Sequence, residues 1–151
     1  MNVTFIGMSG AGKSHVGKRY AREHEMDFID IDTEMESEYG KPLQEILDEL
    51  GEETFLEKQA DQVLALAGRD NLVISPGGSV VYTERAMKFL KANSKIIYLD
   101  VPLSVIESRI NPSSRGIVGM KNKTFAELYE ERSKLYQNWA DEILQVEAQV
   151  L

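Results

Sequence analysis

Six residues into the chain, the run Gly7-Met8-Ser9-Gly10-Ala11-Gly12-Lys13-Ser14 places three glycines, an ammonium group and two hydroxyls within eight positions. Gly7, Gly12, Lys13 and Ser14 have the spacing G-x-x-x-x-G-K-[ST]. Glycines let a backbone wrap with its N–H groups turned inward on an anion, and a helix starting at the lysine adds the partial positive charge of its N-terminus. Lys13 can then reach outer phosphates, and the Ser14 hydroxyl can ligate Mg2+. A nucleoside triphosphate uses all of these groups at once. The groups expected to line it are Gly10, Ala11, Gly12, Lys13, Ser14 and His15. A second pair stands in Phe28-Ile29-Asp30-Ile31-Asp32-Thr33-Glu34, at the end of an apolar run. Read as strand, Asp30 and Asp32 share one face. One carboxylate could hold Mg2+ through water, and the other could orient or deprotonate an acceptor hydroxyl. The competing reading makes Asp32 the N-cap of the helix that follows.

Such groups must be carried by a scaffold, and the chain alternates short apolar runs with longer segments of helical period. Strands are predicted over 2–7, 27–31, 71–75, 95–100 and 142–147, and helices over 13–24, 42–50, 52–67, 83–92, 102–110 and 124–140. Pro42 and Pro102 suit a first helical turn, and Gly40, Gly51 and Gly68 mark helix ends. The alternation and the phosphate loop together predict an α/β fold, a P-loop NTPase-type three-layer α/β/α sandwich with a five-stranded parallel sheet. Ligands of such sheets sit beyond the C-terminal strand ends, which is where the loop and both aspartates fall. Residues 111–123 are polar, basic and glycine-containing between two helices, the character of a lid that is mobile without ligand and orders when nucleotide and acceptor are bound.

A length of 151 residues predicts one domain. The net charge of −8 argues against nucleic acid or an anionic membrane as partner, since both are bound through an excess of Lys and Arg. The chain has no cysteine, so no disulfide framework or thiolate site is available, and no apolar run reaches membrane-spanning length. A cytoplasmic monomer acting on a small-molecule acceptor is the expectation. His15 and His24 lack metal-ligand spacing, Tyr129, Tyr136 and Trp139 read as packing residues of the last helix, and the acidic run 32–38 reads as a solvated helix face. Leu56 joins Ala60, Val63 and Ala67 on an apolar helix face.

Several separate segments together resemble the shikimate kinase family: the phosphate loop, Asp30-x-Asp32, Gly51-Glu52-x-x-Phe55, "VISPGGSV" from Val73 to Val80, an arginine-bearing lid, and "ERSKLY" from Glu131 to Tyr136. The resemblance covers almost the whole chain and implies a single kinase domain, 1–151, with its phosphate loop at 7–14, an acceptor-binding helical region at 32–67 and a lid at 111–123. The implied activity is transfer of the γ-phosphate of ATP, with Mg2+, to a hydroxyl of shikimate in aromatic amino acid biosynthesis. By that resemblance Lys13, Asp32 and Arg115 would be catalytic, and Arg109 and Arg115 would join the phosphate loop in binding ATP. Ser14 and Asp30 would hold the metal, and Asp32, Gly77, Gly78 and Arg132 would bind the acceptor. The chain departs from the family at Leu56, where a second carboxylate-binding arginine is expected. It departs again at Pro76, which replaces the first of three glycines, at Arg115-Gly116 in place of Arg-Pro, and in a short C-terminus after Glu147. Leu56 keeps open a relative acting on another small hydroxylated metabolite, and a catalytically silent ATP-binding relative is the third reading.

Overall fold

Strand β1 (Asn2–Ile6), buried along its whole length, is the middle strand of a five-stranded sheet in a computed structural model that describes residues 1–110, 117–120 and 122–146. The order is β2–β3–β1–β4–β5, with β2 at Asp27–Asp30, β3 at Leu72–Ser75, β4 at Ser94–Asp100 and β5 at Glu142–Gln145. Every pairing is parallel, with Val3 opposite both Val73 and Lys95, and Ile97 opposite Glu142. Parallel neighbours cannot be joined by hairpins, so each connection is a crossover. Helices α1 (Lys13–Glu23), α2 (Ile31–Tyr39), α3 (Leu43–Leu50), α4 (Glu52–Leu64), α5 (Glu84–Asn93), α6 (Leu103–Glu107) and α7 (Phe125–Trp139) make those crossovers and flank the sheet. No helix among the described residues is long and apolar enough to cross a membrane.

The strand order places the site. From β1 the chain crosses through α1 to β2 on one side, whereas from β3 it crosses through α5 to β4 on the other. Where neighbouring strands send their connections opposite ways, a crevice opens beyond their C-terminal ends. The phosphate loop leaves β1 there and the glycine turn leaves β3, close enough that a methyl on Gly78 would lie 3.3 Å from the Ser9 nitrogen.

Three expectations are corrected. β2 stops at Asp30 and α2 begins at Ile31, so Asp32 lies in the first helical turn and not on a strand face. The N-cap is Asp30, whose carboxylate accepts from the Thr33 N–H at 3.1 Å, and not Asp32. A cap needs an extended backbone, which the last strand residue already has and a residue inside the helix does not. The helices predicted over 52–67 and 102–110 are shorter, ending at Leu64 and Glu107, and a 3-10 turn at Gly78–Tyr82 carried no sequence signal.

Two apolar clusters hold the layers. The larger joins the sheet to α1, α5 and α7 and contains Phe5, Ile74, Leu90, Leu99 and the fully buried Tyr136. The smaller packs Met35 of α2, Ile46 and Leu47 of α3, and Phe55 of α4 around Val118, with Leu56 half-buried against it. Leu56 thus belongs to this cluster, while Ala60 and Val63 face the larger one and Ala67 is exposed. Of the expected lid, residues 111–116, including Arg115, and 121 lie outside the described residues, as do 147–151 at the other expected departure. Ile117 and Val118 are buried, at 6% and 5% exposure, so this end of the segment is anchored by apolar contact and is not purely polar.

Candidate active site

Gly10 and Gly12 have φ of +86° and +94°, and Gly12 is the N-cap of α1 with no side chain to contribute. Left-handed backbone at two of three successive positions turns the loop back on itself, a conformation that side chains with a Cβ resist. The loop closes through the Ala11 N–H, which donates to the Met8 carbonyl at 3.0 Å. Ala11 is fully buried and its N–H is committed inward, so of the six loop residues expected at the phosphates it alone does not line the cavity. Lys13 Nζ donates to the carbonyls of Gly7 at 2.6 Å and Met8 at 3.0 Å, bracing the loop that presents it. Arg109, just past α6, donates from Nη1 to the Gly10 carbonyl at 3.1 Å, tying the far side of the loop to the next layer.

The cavity in front of this loop measures about 530 Å3. Lys13, Ser14, His15, Asp30, Asp32 and Arg109 line it together with Pro76, and Thr33, Glu36 and Leu43, which the motifs did not single out, are also in its wall. The Ser14 hydroxyl donates to Asp30 Oδ2, while Oδ1 of the same carboxylate caps α2, so one side chain orients both the phosphate loop and the helix that carries Asp32. Hydroxyl and carboxylate oxygens are the donors that Mg2+ takes, together with phosphate oxygens and water. Asp30, Asp32 and Glu36 on the wall would repel a polyphosphate in the absence of a cation between them. The residues therefore fit a divalent cation. Among the described residues no group of three or more His, Cys, Asp or Glu side chains could hold one without help from the ligand. His24 sits apart, its Nδ1 2.9 Å from the Tyr20 carbonyl and its ring stacked on Tyr20.

Beside the large cavity lies a second of about 10 Å3, room for roughly one water. Asp32, Phe55, Gly78, Ser79, Val118 and Arg132 are among its walls. Arg132 projects from α7 and is 1% exposed. Its Nη2 donates to the Val118 carbonyl at 2.7 Å, its guanidinium carbon lies 5.2 Å from the Tyr82 ring centroid, and its Nε has no hydrogen-bond partner. Val118 is pinned in turn, because the next N–H, of Gly119, donates to Glu52 Oε2 at 2.6 Å. A buried guanidinium is costly unless something accepts its protons, so one still incomplete has the capacity to take an anion. The Tyr136 hydroxyl donates to the Gly78 carbonyl at 2.5 Å and fixes the glycine turn to α7. Burial pushes that phenol up to about 12, so it remains a neutral donor at physiological pH. Tyr82 donates to the Glu131 carboxylate, which also pairs with Lys123. These two partners hold the Glu131 carboxyl below the usual range, Lys123 first.

Gly77 and Gly78 are both buried in the turn after β3. A methyl on Gly78 would come 3.1 Å from Arg132 Nη1, and one on Gly77 would collide with Gln59 Nε2 and lie 2.5 Å from Asp32 Oδ1. Gln59 is the residue that motif reading missed. Its signal was a polar residue on the buried stripe Phe55, Ala60, Val63 of α4, where an apolar one is the rule. Tyr129, Tyr136 and Trp139 all pack on the larger cluster, as helical spacing predicts.

Against known proteins, the family model described as shikimate kinase matches residues 9–150. A shikimate kinase of Persephonella marina is 35% identical over 136 residues, covering 89% of this chain and 83% of the relative. One from Aromatoleum aromaticum is 35% identical over 147 residues, covering 95% and 84%. A solved shikimate kinase from Acinetobacter baumannii, in complex with shikimate, superposes with a TM-score of 0.87 at 26% identity, covering 96% of this chain and 83% of that one.

Proposed function

The chain belongs to the shikimate kinase family of small-molecule kinases, and from that premise we propose how its residues carry the γ-phosphate of ATP to a hydroxyl of shikimate, a step of aromatic amino acid biosynthesis. One observation carries the reading: at the sheet's switch point a phosphate loop bonded to Asp30 meets a glycine turn flanked by Asp32 and Arg132.

Phosphoryl transfer through a loose transition state needs little covalent chemistry from the protein, so its work is positioning and charge stabilisation. The N–H groups of the loop and of the first turn of α1 receive the phosphates. Lys13, held at the loop by two carbonyls, has donors to turn onto the outer phosphate oxygens, and Arg109 stands at the nucleotide end of the same cavity. Ser14 and Asp30 would hold Mg2+, which when bound neutralises and orients the phosphate oxygens. Asp32 takes a hydrogen bond from the acceptor hydroxyl and keeps its oxygen in line with the transferred phosphorus. Arg132 accepts the acceptor carboxylate in place of the Val118 carbonyl, and the bare backbone of Gly77 and Gly78 lets the ring approach. Arg115, outside the described residues, carries by family resemblance the role of closing on the transferred phosphate. This reading asks for groups of one chain alone and so for nothing more than a monomer, and the need for ATP supports the cytoplasm as its compartment.

A second reading, a relative acting on another small hydroxylated compound, is favoured by Leu56, whose half-buried place in the smaller apolar cluster puts no cation beside Arg132. An ADP-release assay against shikimate and against related polyols, acids and nucleotides separates the two. Shikimate-dependent release is expected, and release with another acceptor but none with shikimate would transfer the assignment to that acceptor.

A further inference from the structure

Gln59 is 1% exposed, and its two amide ends are in different situations. Oε1 accepts from the Ser79 hydroxyl at 3.2 Å, while Nε2 has no hydrogen-bond partner. The orientation follows from its surroundings, since the opposite one would turn Oε1 toward the carboxylate oxygen of Asp32, oxygen against oxygen. A buried donor without an acceptor is uncommon in folded proteins and asks for a ligand or another explanation. Here the donor looks into a particular place. Nε2 and Asp32 Oδ1 both lie within 2.5 Å of the point where a side chain on Gly77 would begin. An oxygen at ordinary hydrogen-bond length, about 2.8 Å, from each can span them.

We infer that Gln59 determines acceptor specificity, its Nε2 donating to a hydroxyl oxygen of the acceptor whose own proton is given to Asp32. This rests on the assignment of Asp32 to the acceptor side made above. The pair reads one functional group. A hydroxyl gives a proton to the carboxylate and takes one from the amide. A ketone at the same place offers Asp32 no proton and meets it oxygen to oxygen, an ether cannot donate, and an ammonium satisfies Asp32 but turns a hydrogen toward the amide hydrogens. Gly77 is required for the same pair, because any side chain there would collide with both groups and push them apart. Ser79 is the positioning residue, fixing the amide by its Oε1 end.

The test compares parent, Gln59→Met and Gln59→Glu by steady-state kinetics on shikimate and by equilibrium binding of shikimate and of each of its monodeoxy analogues. Both variants remove the donor, one with an apolar isostere and one with the charged isostere, so one remains informative if the other misfolds. The expected result is a rise of roughly ten-fold or more in the KM for shikimate. The KM for ATP should stay within about two-fold, and on one deoxy analogue parent and variant should become equal, because the group being read is gone. A loss of equal size on shikimate and on every deoxy analogue would assign Gln59 a packing role and overturn the inference, as would unchanged KM values in a folded variant. A parent that releases no ADP with shikimate would instead overturn the acceptor assignment beneath it.

Discussion

The ammonium of Lys13 lies against the carbonyls of its own loop, and no other described side chain of Gly7 to Ser14 carries positive charge. Lys13→Ala is therefore expected to lower turnover by roughly a hundred-fold or more, the scale on which preorganised charge contributes to transfer, while the melting temperature changes little. Paired single-turnover and thermal-melt measurements check both halves. At Leu56 the expectation concerns the acceptor. If Arg132 holds the acceptor carboxylate, an arginine at position 56 offers it a second charged partner, and one charge-assisted pair is worth about ten-fold or more. Leu56→Arg should lower the KM for shikimate by that factor, at some cost in stability as the smaller cluster loses a packed leucine. No fall in KM would mean that Arg132 suffices. Lys13, Ser14 and Asp30 were legible in the sequence because spacing alone brings them together through one turn and one crossover. Asp32 was picked out for the wrong reason, since it reaches the crevice from the first turn of α2 and not by strand alternation. Gln59 was not legible, because its meaning depends on Gly77, which only the packing of α4 against the turn after β3 places beside it.

Among the elements, α7 carries the heaviest load, since it holds Arg132 and Tyr136 against the crevice and starts directly after the segment that ends the expected lid. Its N-terminus is a capping box: Thr124 Oγ1 accepts from the Glu127 N–H at 3.1 Å, and Glu127 returns to the Thr124 N–H at 2.9 Å. That bond is the main reason the Glu127 carboxyl sits below its usual range. Thr124→Ala should reduce unfolding free energy by about 1 kcal/mol. Urea titration measures the loss, and saturating turnover should remain near that of the parent because the cap touches no site group. Strands and helices with a strong period were legible to within a residue or two. The 3-10 turn at Gly78–Tyr82 was not, because it is held by Tyr136 reaching back from a helix far along the chain. The shortening of the helix after Pro102 likewise has no local signal. Its last turn gives way where Arg109 reaches back to the phosphate loop.

On the scale of the molecule, the two cavities lie side by side, and Ser9, Asp32 and Leu43 border both. The alternating pattern of the chain conveyed the parallel sheet and its crossovers, but not that one cavity would be open and the other nearly filled. That difference comes from Ile117 and Val118, apolar residues in a stretch whose composition reads as solvent-facing. It also bears on speed. In the reading proposed above, a carboxylate that takes Arg132 Nη2 must displace the Val118 carbonyl, which the Gly119–Glu52 bond helps to hold in place. The acceptor therefore enters by exchange, and its arrival is limited by how often this short segment lifts rather than by how often molecules collide. In stopped-flow mixing, the observed binding rate for shikimate should level off at high concentration, and Glu52→Ala should raise the plateau several-fold by freeing Gly119. A rate that climbs in proportion to concentration throughout would mean that the segment lifts faster than encounters occur, and the strap would then set affinity alone.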